Sequence, residues 1–133
     1  MAEGARRSFP ADPASLSEIR RFVREQALGA SLDWEAAEEL TLAVSEAAAN
    51  AIRHTETPSV TLATRRDDDC VIVEVRDRGV FDSRLPVPEL DGPSGRGILL
   101  MTAFVDEVAI NEGTRQQPGT TVRLRKCREA RVL

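Results

Sequence analysis

Three polar residues spaced one helical turn apart, Glu46, Asn50 and His54, interrupt an alanine- and leucine-rich stretch, LTLAVSEAAANAIRH, at residues 40–54. Steps of four at about 100° per residue turn each side chain only about 40° from the last, so the three form one slanting ridge. A carboxylate, a carboxamide and an imidazole on the border of an apolar stripe suit the floor of a polar ligand pocket. Their chemistry there is that of a general base, an oxygen donor to a hard cation and a hydrogen-bond partner. Three glycine-bearing features join them: Asp77-Arg78-Gly79, Gly95-Arg96-Gly97 and Gly119-Thr120. Backbone amides at a glycine-rich helix start attract anions, so Gly95 and Gly97 suit phosphate. Other chemistries are excluded. The chain has no G-x-x-x-x-G-K-[ST] and no H-E-x-x-H. Its single histidine has no serine or cysteine neighbour of triad character.

The elements that must position these residues follow from periodicity. Ala37, Leu40, Val44, Ala47 and Ala51 recur at steps of three and four and predict a long helix ending at about His54, with Ser31 or Asp33 as its N-cap. The Thr57-Pro58 step stops it. Before it, residues 1–13 read as an extended lead-in with a short strand around Ser8 and Phe9. A first helix then starts near Ser15-Leu16-Ser17-Glu18 and ends near Gly29, its apolar positions Leu16, Ile19, Phe22, Val23, Ala27 and Leu28 fitting one helical face. Residues 60–64 and 71–75 read as a hairpin turning through Asp67, Asp68 and Asp69. Val71, Val73 and Val75 share a face, and period two puts Asp77 on it too. A carboxylate aimed at the core must find donors. Residues 80–94 carry Pro86, Pro88, Gly92 and Pro93 and read as a long loop, followed by an apolar helix at 98–104. Strands at 107–110 and 120–126 complete the chain, with Val122 and Leu124 facing the core and Thr120 in phase with them. The order predicts an α+β fold, a two-layer α/β sandwich: a mostly antiparallel sheet with helices on one face.

The composition frames this as one domain over residues 1–133, 41% hydrophobic and 30% charged. A net charge of −4 argues against direct nucleic-acid binding, and Arg123, Arg125, Lys126, Arg128 and Arg131 read as a solvated strand edge and tail, residues 127–133. No membrane-spanning run or signal peptide is apparent, so no membrane role is expected and the location is read as cytoplasmic. Cys70 and Cys127, far apart and without metal-type spacing, read as reduced free thiols, and a structural zinc site is excluded. Trp34 and Met101 read as core.

The four features, Glu46-x-x-x-Asn50-x-x-x-His54, Asp77-x-Gly79, Gly95-x-Gly97 and Gly119-Thr120, resemble in order the boxes of the GHKL ATP-binding superfamily of gyrase, mismatch-repair ATPases and histidine kinases. Within it, the short chain, VSEAAANAIRH, GRGILLM and GTTV are similar to the anti-sigma-factor serine kinases of bacterial partner-switching systems. The resemblance covers roughly residues 8–126. It implies the Bergerat ATP-binding fold with ATP and Mg²⁺ as cofactors. Asp77 would accept the adenine amine, assisted by Thr120, with Gly79 close to the base. Asn50 would be a metal ligand and Glu46 the catalytic base. Gly95, Gly97 and Arg96 would hold phosphate. His54 would touch nucleotide or cap its own helix, two readings the sequence leaves open.

The implied function is an ATP-binding anti-sigma regulatory factor, a serine/threonine-protein kinase and transcription regulator. It would sequester a sigma factor and phosphorylate a serine on an anti-sigma-factor antagonist, as a homodimer. Two departures bear on phosphotransfer more than on adenine binding: Phe81 stands where the family often has a second glycine, and the ATP lid at 80–94 is short and lacks lysine. They support an alternative, a non-catalytic nucleotide-binding or protein-docking module.

Overall fold

The computed structural model describes residues 4–54, 57–78, 102–112 and 119–128. Strand β1 (Ala5–Pro10) leads through a 3₁₀ turn (Pro13–Ser15) into helices α1 (Leu16–Gly29) and α2 (Trp34–His54). Strands β2 (Ser59–Asp67), β3 (Cys70–Arg76), β4 (Glu107–Glu112) and β5 (Thr120–Cys127) follow. The five strands form one sheet in the order β1-β2-β3-β5-β4, every neighbour antiparallel. The helices pair with each other and cover the sheet through α2, which touches β2, β3 and β5. No helix among the described residues is long and apolar enough to cross a membrane.

The core is what alternation on the strands and the stripe on α2 prescribe. Val71, Val73 and Val75 of β3 and Leu124 of β5 are buried under Leu40, Val44, Ala47 and Ala51. Ile19, Phe22 and Val23 of α1 complete it, with Phe22 edge-on to Phe9, ring centroids 5.9 Å apart. Of the two candidate caps for α2, Asp33 acts: its Oδ1 accepts from Ala36 N at 2.8 Å. Ser15 sits at the start of α1 without a side-chain capping bond. Asp12 instead caps the 3₁₀ turn through Ala14 N at 2.8 Å. Strand β1 is longer than its sequence suggests, because ARRSFP has one core-facing apolar residue, Phe9. Six residue pairs with β2 make it a strand.

Four expectations are corrected. The basic strand carrying Arg123, Arg125 and Lys126, read as a strand edge, is interior, paired to β3 and β4 on its two sides, and Leu28, placed on the apolar face of α1, is 38% exposed at the helix end. Trp34, read as core, is 62% exposed at the first turn of α2, the Arg24 guanidinium 6.0 Å from its ring centre. Its helical phase is close to that of buried Thr41 and Ala48, so its exposure comes from its place at the helix start, ahead of Ala37, the first buried residue of α2; Arg24 is held there by Glu38, whose hydrogen bond raises the guanidinium pKa above its ordinary value. Cys70 and Cys127, read as free thiols, are joined in a disulfide. The β3–β5 register sets them opposite each other at the end of the ladder, a non-local pairing that 57 residues of separation conceal. Met101 and the loop at 80–94 lie outside the described residues. Of the helix expected at 98–104, residues 102–104 are described and are helical.

Candidate functional site

At the end of β3 opposite the disulfide, Asp77 prolongs the ladder to β5 by one rung. Its N–H donates to Thr120 O at 3.0 Å, and Thr120 N donates to Asp77 Oδ1 at 3.3 Å. Period two along β3 and β5 accounts for the meeting: Asp77 follows Val75 in phase, and Thr120 precedes Val122 in phase. Thr120 is buried, 4% exposed, and Asp77 is half-buried. The inward carboxylate therefore has a donor within the protein, as desolvation demands.

Gly119 makes this closure possible. Its φ is +131°, and a Cβ placed there would lie 2.6 Å from Asp77 O. Both the backbone conformation and the close approach require the absence of a side chain. Thr57 holds the next residue: its buried hydroxyl accepts from Arg78 N at 3.1 Å and donates to Ser59 O at 2.6 Å. One side chain thus pins the exit from β3 to the entrance of β2. Sequence reading missed Thr57, which belongs to no motif and registered only as part of a helix stop.

The ridge on α2 carries Glu46 and Asn50, both half-buried. His54 closes the helix, its side chain outside the described residues. Asn50 Oδ1 accepts from Arg53 Nη2 at 3.2 Å. Two ties set the relative run of helix and strand: Lys126 Nζ lies 2.7 Å from Glu39 Oε2, and Thr57, just beyond α2, holds Arg78 beside the Asp77–Thr120 rung. From the first tie, β5 runs back to Thr120 over about 20 Å and α2 runs on to Asn50 over about 16 Å. The antiparallel course carries both toward the same end of the molecule. Gly79, Gly95, Arg96 and Gly97 lie outside the described residues.

A hard divalent cation would find one suited side-chain oxygen here, Asn50 Oδ1, with Glu46 one turn away. Among the described residues no group of three His, Cys, Asp or Glu side chains is assembled for a metal. That donor set fits Mg²⁺ only if phosphates and water complete its octahedron, as is usual for nucleotide-bound Mg²⁺. A cavity of about 480 Å³ lies elsewhere, lined by Gly4, Gln26, Gly29, Thr64 and Arg66 near the disulfide end. It contains none of the candidate residues.

Comparison with known proteins agrees with the fold. A crystal structure of the RsbU and RsbW domains of Rv1364c from Mycobacterium tuberculosis superposes with a TM-score of 0.70 at 21% identity. The match covers 94% of this chain and 32% of that one, so the chain spans about a third of the other's length, and the likeness is one of fold. No curated protein matches. The family model described as histidine kinase-like ATPase domain matches residues 9–126. With the two-layer sandwich and the Asp77–Thr120 closure, that match assigns the chain: it belongs to the histidine kinase-like ATPase domain family, in the GHKL-like, Bergerat-type fold.

Proposed function

We propose that this chain is an ATP-binding anti-sigma regulatory factor of a partner-switching system. In this reading it sequesters a sigma factor and transfers the γ-phosphoryl group of ATP to a serine of an antagonist protein. The observation that carries it is the Asp77–Gly119–Thr120 closure, which joins two features 42 residues apart into one polar corner. The neighbour's RsbW domain supports the partner-switching half.

The residues divide the work as follows. Asp77 accepts from the adenine exocyclic amine, and Thr120 holds that carboxylate in place. Asn50 presents its carbonyl oxygen at the phosphate end, where bound Mg²⁺ would neutralise developing charge. Glu46, one turn earlier, takes the proton of the acceptor serine as its oxygen attacks the γ-phosphorus and ADP leaves. Gly95, Arg96 and Gly97 hold phosphate by backbone amides and a guanidinium. The assembly is a homodimer acting in the cytoplasm, a reducing compartment in which the Cys70–Cys127 bridge is open to reduction.

Calorimetric titration with ATP and ADP, with and without Mg²⁺, tests the pocket; absence of binding at millimolar nucleotide refutes it. Transfer of labelled γ-phosphate to a cognate antagonist tests the kinase. Transfer should vanish in Glu46→Ala while nucleotide binding persists. The second reading, a docking module without phosphotransfer, is favoured by Phe81 and the short lid. Binding without transfer by the unmutated chain selects it.

A further inference from the structure

One cation on the ridge has no part in the roles above. Arg53 follows Asn50 by three positions, so both side chains leave α2 on one side. Arg53 is exposed, and its Nη2 donates to Asn50 Oδ1 at 3.2 Å while its Nε donates to Ala49 O at 3.4 Å. The guanidinium is thereby steadied on the carbonyl end of the Asn50 amide. That end is the only part of the side chain able to ligate a metal, since the NH₂ group is a donor alone.

Mg²⁺ sits about 2.0–2.1 Å from its oxygen ligands and demands near-octahedral directions. A guanidinium nitrogen 3.2 Å from the same oxygen would then face a divalent ion across only about 4–5 Å, like charge against like charge. At an exposed position that repulsion is about 2 kcal/mol, which disfavours both cations on one atom. Either the guanidinium withdraws or the metal forgoes Asn50. Asn50 is the described atom on which metal binding would depend most, because no acidic cluster is assembled beside it.

We propose that Arg53 competes with divalent metal for Asn50 Oδ1 and so makes nucleotide binding by this chain only weakly dependent on Mg²⁺. The proposal rests on the nucleotide-binding reading of the same ridge. An always-charged planar fork is suited to the part: it can occupy a carboxamide oxygen without metal and face phosphate oxygens with it. The contact is exposed and exchanges readily, which makes Arg53 a competitor and not a lock.

The test is the ratio of ATP affinities with saturating Mg²⁺ and with EDTA, measured by calorimetry on the full chain. The unmutated protein should gain less than about threefold from Mg²⁺. Arg53→Ala, with its ligand oxygen released, should gain about tenfold or more. Arg53→Lys, which keeps a cation at the position, should restore the small ratio. Because each ratio is internal to one variant, a general loss of stability does not mimic the result. Equal ratios in the unmutated chain and Arg53→Ala overturn the proposal. Should the unmutated chain bind no ATP, the nucleotide reading fails separately, and Mn²⁺ with inorganic tripolyphosphate, which supplies the missing phosphate oxygens, decides the role of Arg53. Broadening of the Asn50 side-chain amide resonance at several-fold lower Mn²⁺ in Arg53→Ala supports the competition. Broadening at the same concentration refutes it.

Discussion

Replacing Gly119 by alanine should damage the site and the fold together, by an amount the geometry bounds. The added Cβ would stand 2.6 Å from Asp77 O, a backbone atom that cannot swing aside. Relief requires the ends of β3 and β5 to part by a few tenths of an ångström. The Thr120 N–Asp77 Oδ1 bond is already 3.3 Å long and does not survive that opening. A net hydrogen bond of this kind is worth about 1 kcal/mol. Holding alanine at φ +131° costs roughly another 1–3 kcal/mol. The expected loss is therefore about 2–4 kcal/mol, a large share of the roughly 5–15 kcal/mol typical of a domain. Urea unfolding followed by circular dichroism measures it, and ADP titration should show binding weakened at least about tenfold. Gly29→Ala is the control: no heavy atom lies within 4 Å of its added Cβ, and its φ is not in the positive range. It should be neutral or stabilise by up to about 1 kcal/mol. A Gly119→Ala protein within about 0.5 kcal/mol of the parent would refute the steric argument.

Thr57→Val keeps the shape of the side chain but leaves Arg78 N and Ser59 O without their partner. Urea unfolding should show a loss of about 1–3 kcal/mol, with Thr57→Ser recovering most of it; equal losses in the two variants would assign the effect to packing. Cys70→Ser removes a link that closes a loop of 57 residues' separation, and should cost up to about 4 kcal/mol on the chain-entropy account. Thermal melts of oxidised and reduced parent protein should bracket the same difference, and coincident melts would contradict it. Asp77→Asn retains an Oδ1 to accept from Thr120 N but turns a donor toward adenine. Calorimetry should find nucleotide binding lost with the melting temperature little changed, and unimpaired ATP affinity would remove Asp77 from the pocket.

The parts of this architecture legible in the sequence are those governed by local period. The stripe on α2 and the alternation of Val71, Val73 and Val75 are written within a few residues each, and they carry Asn50 and Asp77 to their elements. Thr120 was legible for the same reason, being in phase with Val122 and Leu124. Position in space is a different matter. Thr57 acquires its role only because residue 78 returns beside it after a complete hairpin. Cys70 meets Cys127 only through a register set by the whole β3–β5 ladder. Arg53 shows no signal in composition, since an arginine near a helix end is ordinary. Its contact with Asn50 is a matter of rotamer. Trp34 is misjudged by residue type and by phase alike, since it is nearly in phase with buried Thr41 and Ala48; standing at the first turn, ahead of the buried residues, is what leaves it exposed.

The exposure of Trp34 also governs how this protein can be watched. It is the chain's one tryptophan, and there is no tyrosine. An indole already 62% in water emits and is quenched much as it would be in a denatured chain. Intrinsic fluorescence should therefore change little on unfolding and should be nearly blind to events at the Asp77 end, beyond the length of β5. A flat emission trace during denaturation would describe the position of one side chain, not the stability of the domain. The same property makes Trp34 a clean reporter of anything that covers the α1–α2 corner. A blue shift on adding another macromolecule would locate the contact there without a label.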